Sequence, residues 1–507
     1  MSLRPTFLAF HTASRALAAS QANMDVTGNN IANVNTKGYT RQRVDLNSIS
    51  SGGYTQKYAV PTASVGLGVE VSRISQIRDP FLDARYRDQA SENGRFDTVL
   101  AGLTDLENIF DEISTEGLLH EISKFVNSLQ SLAQTPAASD IALVARTAAQ
   151  KVTQIMNVYA KQITQVRNQQ VFDLSKVVID NDFNTKVKSI ADLNVQIREE
   201  QTYGNVPNEL LDKRNMLIDE LAELANIKVT SYPERISEDL VVERLTVSLY
   251  DTATGTSIGL VDGGLYNTLY VNDDGDRVTI GMASSFGPHG GADITHHFSS
   301  GSIRGYLDLI NGGGINEFRG VPYYRNSMDI LASNFARVLN DLNTIDPADP
   351  KPLFSAAGGG PITAENIRIS EQWLADPTFI TTTRGNANAG DNILRMISAI
   401  DSETVFYKDA EDSSSQVMFR GSFDEFMSGL MGEVALDVEL YMNYSDTSVT
   451  VLSNLFAARE SISGVNLDEE GINLMAFQKS YNAAARYFTA LDEAVDTIIN
   501  RMGIVGR

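Results

Sequence analysis

Histidine and aspartate residues that could bind a metal occur together in one short segment. His289, Asp293, His296 and His297 lie within nine residues of the stretch GPHGGADITHHFSS. Imidazole and carboxylate groups bind zinc, but a zinc site needs regular elements that fix its geometry. The segment is rich in glycine, and no second cluster of ligands accompanies it. We therefore interpret it as a surface loop and predict no metal site.

Other residues with catalytic potential lack the spacing that their chemistry requires. Residues 272–276 (NDDGD) are acidic, but their spacing differs from that of an EF-hand calcium loop. The glycine triplets at 312–314 and 358–360 lack the Lys-Ser/Thr pair of a phosphate-binding loop. Among 64 acidic residues and five histidines, no carboxylate pair or Ser-His-Asp set stands out. We predict that the protein is not an enzyme, has no catalytic residues and binds no cofactor.

Asparagine side chains dominate a segment near the N-terminus. Residues 28–42 read GNNIANVNTKGYTRQ, with four asparagines in seven residues and Gly38 before Tyr39. Asparagine tolerates the left-handed backbone region and hydrogen-bonds to neighbouring amides. The segment therefore predicts a helix end that runs into an ordered turn.

The two ends of the chain have the apolar spacing of helices that pack against other helices. The C-terminal seam follows alternating steps of three and four residues through four heptads. It consists of Leu474, Phe477, Tyr481, Ala484, Phe488, Leu491, Val495, Ile498 and Met502. The N-terminal seam is weaker, because several of its members are polar or small. It consists of Leu3, Phe7, Phe10, Ser14, Leu17, Gln21, Met24, Gly28 and Ile31.

Neither terminal helix can bury its seam alone, and isolated helices are marginal in water. We expect the two helices to be ordered only against each other or against neighbouring subunits. Such ends are typical of a protein that assembles. The same pattern also fits an ordinary globular protein whose first and last helices share one core.

The asparagine-rich motif resembles the N-terminal signature of the bacterial flagellar rod, hook and hook-associated proteins, N-N-I-A-N-x-N-T-x-G-Y. The chain matches its fixed positions at Asn29, Asn30, Ile31, Ala32, Asn33, Asn35, Thr36, Gly38 and Tyr39. Residues 463–502 resemble the C-terminal signature of the flagellar hook-associated protein 1 family. Residues 210–229 and 302–343 are similar to interior helices of that family.

This resemblance implies a structural subunit that acts as an adaptor at the junction between hook and filament. It implies copies of itself in a ring or short helical layer, the hook protein below, and the next hook-associated protein above. It also implies a cytoplasmic export chaperone on the C-terminal helix. The C-terminal seam would then be the subunit or chaperone interface. The protein would be extracellular, in the flagellum, after type III export without a cleaved signal peptide.

Two alternatives stay open. A hook or rod subunit shares the asparagine-rich motif, although the chain length, residues 468–474 (DEEGINL) and the interior helices count against it. An axial protein whose outer domain is a wall hydrolase or an adhesin belongs to another functional class.

Composition limits the partners. The net charge of −23 argues against nucleic acid and anionic membranes, both of which call for basic patches. The absence of cysteine excludes disulfides and thiolate metal sites. The sequence has no apolar stretch of about 18 residues and therefore predicts no membrane span. No secretory signal peptide is evident.

Periodicity and turn residues give a coarse map of the middle. A helix is expected from Pro80, capped by Asp79, with a break near Gly94. Residues 138–200 read as long helices, and Asp274 with Gly275 reads as a hairpin loop between two strands. Ser422 with Glu425, and Asn466 with Glu469, have the spacing of capping boxes.

We predict an α+β multidomain fold with a nested architecture, in which coiled-coil-like terminal helices enclose a long-helix domain that carries a β-rich insertion. The terminal assembly domain would comprise 1–50 plus 464–507. The mainly helical core would comprise 51–229, 300–345 and 376–463, and the β-rich outer domain 230–299 plus 346–375. An insertion whose ends emerge from neighbouring helices is expected to be separable.

Overall fold

The computed structural model describes residues 6–49, 66–110, 117–237, 240–251, 254–287, 290–314, 318–385, 390–408 and 416–501. His289 of the histidine-containing segment lies outside this part of the chain, as do Leu3 and Met502 of the two seams. The Phe7 side chain also lies outside it.

Helices make up most of the described structure. The twelve α-helices of the described ranges are α1 (Thr6–Ala32), α2 (Pro80–Ile109), α3 (Leu118–Gln134), α4 (Ser139–Phe172), α5 (Asn184–Thr202), α6 (Asn208–Leu224), α7 (Ser302–Asn311), α8 (Val321–Asn343), α9 (Glu371–Ala375), α10 (Asp391–Asp401), α11 (Phe423–Ser463) and α12 (Leu467–Asp496). Two π-helical segments, Asp173–Phe183 and Thr497–Arg501, continue α4 and α12, and short 3-10 turns occur at Thr295–His297 and Pro377–Phe379.

Short strands form five small antiparallel sheets within the described residues. They are β1 (Gln42–Ser48), β2 (Val69–Gln76), β3 (Ile227–Arg235), β4 (Val241–Tyr250), β5 (Ser257–Asp262), β6 (Leu265–Tyr266), β7 (Thr268–Asp273), β8 (Val278–Ala283), β9 (Phe354–Ala356), β10 (Ile367–Ile369), β11 (Thr404–Tyr407) and β12 (Val417–Gly421). Strands β3 to β6 form one sheet in sequence order, and the remaining strands pair as two-stranded sheets of sequence neighbours. The predicted α+β class is confirmed.

Local signals in the sequence place two elements correctly. Strands β7 and β8 form the predicted hairpin, and Gly275 in its loop has a φ of 94° that favours glycine. Helix α11 starts with a full capping box. The Ser422 hydroxyl accepts from the Glu425 amide at 3.1 Å, and the Glu425 carboxylate accepts from the Ser422 amide at 2.9 Å.

The predicted break near Gly94 is wrong, because α2 runs without interruption from Pro80 to Ile109. A Cβ atom at Gly94 would overlap the carbonyl oxygen of Glu223 on α6. Glycine at this position therefore permits two helices to approach closely and does not end one of them.

Residues 139–202 are helical, as predicted for 138–200, but they form one continuous rod where the sequence predicted several long helices. Its central 11 residues, Asp173–Phe183, are π-helical. Buried side chains here recur at Gln170, Leu174, Val178 and Phe183. Steps of four and five residues match the wider π turn better than the α turn, so the rod keeps a buried face through this stretch.

The first hydrophobic core, which we call the helical core, lies among α2, α3, α4, α8, α10 and α11. Its largest buried side chains include Phe125, Phe335, Phe354 and Phe423, together with Trp373, the single tryptophan of the chain. Ring centroids of Phe354 and Trp373 lie 5.8 Å apart in an edge-to-face arrangement. Aromatic packing of this kind dominates core energetics.

The second core, which we call the mixed core, lies between strands and helices. Val247, Leu249 and Ile280 of the strands pack with Phe183 and Ile190 of the helical rod. Side chains of α6 and α7 complete this core. The β-rich region therefore shares its apolar interior with neighbouring helices.

The segment 346–375 packs differently from its predicted grouping. Leu353, Phe354, Ile367 and Trp373 belong to the helical core, whereas the prediction grouped this segment with 230–299. The cause is burial of these apolar side chains against α4 and α8, which the short strands β9 and β10 flank. The domain boundaries as a whole stay a prediction.

Candidate assembly site

The asparagine-rich motif forms the end of α1 and the turn into β1. The Asn33 amide donates to the Asn29 carbonyl at 3.1 Å, and the Asn33 side chain donates to the same carbonyl at 3.0 Å. The Thr36 hydroxyl donates to Asn33 Oδ1 at 3.1 Å, and Gly38 has a φ of 79°. The predicted helix end and ordered turn are therefore present, and side chains of the motif hold them.

Asn30 is the centre of this turn and is only 1% exposed. Its Nδ2 donates to the Gln42 carbonyl at 2.9 Å and to Glu470 Oε2 at 3.1 Å. Its Oδ1 accepts from the Gln42 amide at 3.0 Å and from the Tyr39 hydroxyl at 2.9 Å. Two donors and two acceptor lone pairs are the full capacity of the amide. Asn30 thus joins α1, the turn, β1 and the first turn of α12.

Arg41 and Glu470 form an ion pair beside Asn30. Arg41 Nη2 lies 2.7 Å from Glu470 Oε1, and Arg41 Nη1 lies 3.0 Å from Glu469 Oε2. Glu470 is 2% exposed, and a buried carboxylate without partners would be strongly destabilising. We refer to Asn30, Arg41 and Glu470 as the terminal clasp.

Asn466 caps α12 as predicted. Its Oδ1 accepts from the Asp468 amide at 3.0 Å and the Glu469 amide at 3.3 Å. The Glu469 carboxylate, which the capping-box prediction assigned to the Asn466 amide, binds Arg41 instead. The acidic start of α12 therefore serves a tertiary contact as well as the helix dipole.

Helices α1 and α12 pack as an antiparallel pair. The rings of Phe10 and Phe488 lie 5.1 Å apart near one end, and Asn30 contacts Glu470 at the other. The C-terminal seam is the less exposed side of α12. Its partly buried members are Leu474, Phe477, Tyr481, Ala484, Leu491 and Val495, whereas Phe488 is 37% and Ile498 49% exposed.

The helix pair leaves much of α12 uncovered. Within Leu467–Asp496, Glu470 is the single buried residue. Large apolar side chains outside the seam, Ile472, Met475 and Tyr487, are 63%, 57% and 49% exposed. The pair therefore presents apolar surface that a further helix could cover.

The N-terminal seam was assigned one residue too late at three positions. Ser14, Gln21 and Gly28 are exposed, whereas their neighbours are buried, namely Ala13, Ser20 and Thr27. Helix α1 contacts the β1–β2 hairpin as well as α12, and Arg15 Nη1 donates to the Leu67 carbonyl at 3.2 Å. Because α1 packs on two faces, small residues of the helix are buried. The apolar pattern alone therefore does not show whether its seam advances by three or by four residues at a given step.

Asp212 of α6 fixes the turn to the body of the protein. It accepts from the Thr40 amide at 3.2 Å and from Gln76 Nε2 at 2.8 Å. Burial raises the pKa of the Asp212 carboxyl above its ordinary value. Burial, followed by the nearby carboxylates of Asp212, Glu209 and Glu470, raises the pKa of Tyr39 to about 12. Tyr39 therefore keeps its proton and its hydrogen bond to Asn30 at neutral pH.

A charged cluster connects α2, α6 and α11 near the motif. Asp219 Oδ1 lies 2.7 Å from Arg87 Nε, and Asp219 Oδ2 lies 2.7 Å from Arg459 Nη1. Arg459 also lies 4.1 Å from the centre of the Tyr86 ring. These contacts position the end of α11, from which the chain passes into α12.

Sequence reasoning did not select Arg41, Asp212 or Glu470 as site residues. Within the acidic run 468–470, Glu469 was assigned to a capping box, and Arg41 lies two residues after the last fixed motif position. No spacing rule pairs residues that are 440 positions apart, as Asn30 and Glu470 are. The isolated acidic run beside the apolar seam was the one usable signal.

The residues with possible metal chemistry have other contacts. Asp293 Oδ1 accepts from the Thr295 amide at 2.9 Å, and the ring centroids of His296 and His297 lie 4.0 Å apart with the ring planes tilted by 41°. In the hairpin loop, Asp273 pairs with Arg167 at 2.8 Å. Among the described residues, no group of three or more His, Asp or Glu side chains is arranged to hold a metal. The helices of the described ranges include none with the length and apolar character of a membrane span.

Three family models match the chain. The model described as flagellar hook-associated protein FlgK helical domain matches residues 103–346. The flagella basal body rod protein model matches residues 10–40, and the flagellar basal body rod FlgEFG protein C-terminal model matches 459–502. The last two matches contain α1 with the motif and α12 with its seam.

Curated relatives match over nearly the full length. Flagellar hook-associated protein 1 of Bacillus subtilis (strain 168) is 31% identical, with 99% of both chains covered. The protein of the same name from Salmonella typhimurium is 24% identical, covering 96% of this chain and 98% of that one. A solved structure, the flagellar hook junction protein FlgK from Burkholderia pseudomallei, superposes with a TM-score of 0.57 at 12% identity. It covers 75% of this chain and 100% of that chain, and at this identity the likeness concerns the fold.

Proposed function

Because the chain belongs to the flagellar hook-associated protein 1 family, we propose that it is a structural subunit of the bacterial flagellum at the junction between hook and filament. The observation that carries the proposal is the 31% identity over 99% of both chains to a flagellar hook-associated protein 1. The family models that match residues 10–40 and 459–502 describe flagellar basal body rod proteins, and these two matches support the same proposal. The role is structural rather than catalytic.

Assembly proceeds through the terminal helices. The paired α1 and α12 leave Ile472, Met475 and Tyr487 largely exposed. Full burial of one such side chain is worth roughly 1.5 to 3 kcal/mol. Because each copy repeats the same surface, copies of the chain in a ring or short helical layer would bury it many times over.

The partners and the route follow from the family. Hook protein lies on one side of the layer and the next hook-associated protein on the other. Before assembly, a cytoplasmic export chaperone covers the apolar side of α12, and the protein leaves by flagellar type III export without a cleaved signal peptide. The exposed apolar surface of α12 supports the need for such a cover.

The fold is nested around this helix pair. The terminal helices form an inner layer, α2 and α11 form the next, and the β-rich region lies outermost. Contacts between neighbouring layers support this order. Arg41, which follows α1, donates its amide proton to the Ser463 carbonyl at the end of α11 at 2.9 Å, and α2 contacts β3 of the β-rich region. Within the second layer, Gln89 of α2 donates to Ser448 of α11 at 2.8 Å.

Charge placed in the C-terminal seam tests the proposal. We expect Phe477→Asp with Phe488→Asp to abolish filament attachment when the variant replaces the natural chain in a flagellated strain. The reason is that carboxylates in the seam cannot pack against α1, where the Phe488 ring contacts Phe10, so they disrupt the helix pair whose exposed surface joins the subunits. Electron microscopy of the cells counts the hooks that carry filaments. Unfolding monitored by Trp373 fluorescence should shift little, since Trp373 lies in the helical core.

The matched control is Gln478→Asp with Asn482→Asp, which adds the same charge at exposed polar positions of the same helix. It should support normal filaments. Normal filaments with the seam variant would overturn assembly through this helix. A steep fall of its melting temperature would instead make α12 part of the monomer core.

A further inference from the structure

We propose that the terminal clasp sets the register in which α12 lies along α1. For its importance in assembly the inference rests on the proposed function, but the register itself is a property of the single chain. The clasp is the one buried polar contact that we find between these two described helices, and it joins residues 440 positions apart.

The apolar seam does not define the register by itself. Its members recur every three or four residues, which at 1.5 Å per residue separates successive layers by roughly 5 Å. Sliding α12 by one layer replaces Phe488 by Ala484 or Leu491 opposite Phe10, so apolar groups still meet apolar groups. The buried residues of α1 include small ones such as Ala13 and Ser20, which discriminate poorly between partners.

The connection to α11 does not define the register either. Helix α11 ends at Ser463 and α12 begins at Leu467, with residues 464–466 between them. Three residues reach roughly 10 Å when extended. Gly464 and Asn466 already have extended backbone conformations, so a slide of one layer, roughly 5 Å, that brings α12 closer to the end of α11 is within their range.

The clasp does define it. Glu470 lies 3.1 Å from Asn30 and 2.7 Å from Arg41, and a slide of one layer breaks both contacts. It would leave a carboxylate that is 2% exposed and an amide that is 1% exposed without these partners. Hydrogen bonds to charged groups are among the strong ones, and buried polar groups fix register in helix pairs.

The register matters because subunits of an assembly must present the same surface. The exposed side chains Ile472, Met475 and Tyr487 move with α12 relative to α1 and the core. In copies with different registers, these side chains would lie at different positions along the axis of α1, so the copies could not pack equivalently. The clasp would thus select one assembly-competent form of the helix pair.

Disulfide trapping in the purified monomer measures the register directly, because the chain contains no cysteine. Phe10→Cys with Phe488→Cys reports the observed register, since the two rings are 5.1 Å apart. Phe10→Cys with Ala484→Cys or Leu491→Cys reports the registers one layer away. Each pair is oxidised with and without Asn30→Asp, which sets a second carboxylate against Glu470. Asn35→Asp is the control, being the same change at an exposed position of the motif.

With the natural clasp, cross-linking should be dominated by the 10–488 pair. Asn30→Asp should lower the ratio of the 10–488 product to the displaced products by roughly tenfold or more, and Asn35→Asp should leave it unchanged. An unchanged ratio in Asn30→Asp, with native Trp373 fluorescence, would overturn the proposal. If Asn30→Asp fails to fold, Glu470→Gln decides the question, because it keeps the shape and removes the charge.

The two proposals fail separately. Cross-linking uses the purified chain and needs no flagellum. If Asn30→Asp displaces the register but cells still attach filaments normally, the clasp stands and assembly through the terminal helices fails. If the register is unchanged, the proposed function is unaffected.

Discussion

The hydrogen bond from the Tyr39 hydroxyl to Asn30 Oδ1 connects the turn after α1 to the helix itself. The asparagines and Gly38 predicted an ordered turn because amide side chains bond to nearby backbone, and the turn is present. Glu470, the partner of Asn30, was not predicted, because a buried hydrogen bond between distant segments leaves no spacing pattern in the sequence. The histidine segment illustrates the reverse case, in which suitable residue types occur without an arrangement that could bind a metal among the described residues.

Alkaline pH should reveal the coupling between the proton of Tyr39 and folding. Its pKa is raised from 10.0 to about 12 in the folded protein. Above pH 10 the unfolded chain loses this proton while the folded chain keeps it, so stability present below pH 10 is lost as the pH rises towards 12. We expect Tyr39→Phe to lower the melting temperature at pH 8 but to flatten its decline between pH 10 and 11.5.

Thermal unfolding followed by circular dichroism at a series of pH values checks this. Tyr203→Phe is the control, because Tyr203 is 83% exposed. Equal slopes for the natural chain and Tyr39→Phe would show that Tyr39 does not couple its proton to folding.

The terminal helices show where periodicity works and where it fails. On α12 the predicted seam is the less exposed side of the helix, although large apolar residues also lie outside it, and its role as an interface stays a prediction. The seam of α1 was misplaced by one residue because Ser14 and Ala13 are both small and because the β1–β2 hairpin, which the sequence did not reveal, covers a second face. The predicted helix break near Gly94 was wrong for a related reason. Gly94 packs against a backbone atom of α6, which is distant in sequence, and the sequence does not show this contact.

The mixed core leads us to expect that the β-rich region is not separable, contrary to the sequence-based expectation. Deleting residues 228–300 would expose Phe183, Val187 and Ile190, which are fully buried. We expect a product with reduced helical circular dichroism, no cooperative melt and a tendency to aggregate. Retained helix with a cooperative melt would contradict this and restore the independent insertion.

Two substitutions within β4 test, without a deletion, whether the β-rich region shares its core with the helices. Val247→Asp places a carboxylate in the mixed core, whereas Thr246→Asp places it at the neighbouring, more exposed position. The loss of a buried apolar group, together with the burial of a charge, lowers the free energy of unfolding by several kcal/mol. The first variant should therefore unfold far earlier than the second.

The two cores make the whole chain a poor candidate for one-step unfolding. Trp373, the single tryptophan, reports on the helical core, whereas far-ultraviolet circular dichroism reports on helices around both cores. Chains of several domains commonly violate two-state behaviour. We expect urea transitions followed by fluorescence and by circular dichroism to have different midpoints. Coincident midpoints would mean that the two cores unfold together.

At this level the sequence predicted the α+β class, the helical character of residues 138–200 and the family. It did not predict how the strands share their interior with helices, because the periodicity of a strand shows that one face is buried but not what buries it. The segment 346–375 was grouped with the other strands by its composition, and only the burial of Trp373 and Phe354 shows that it packs in the helical core.

The pairing of α1 with α12 has a consequence for the timing of biogenesis. During synthesis, Asn30 has no contact with Glu470 until the ribosome has added 440 further residues. At 5 to 20 residues per second the delay is roughly 20 to 90 s. Throughout that interval the nascent N-terminal helix can contact the β1–β2 hairpin but lacks its partner helix α12, while the intervening domains can already fold. A message truncated anywhere before the last helix would therefore yield a chain in which one face of the first helix stays uncovered, so a defect at one end becomes visible at the other.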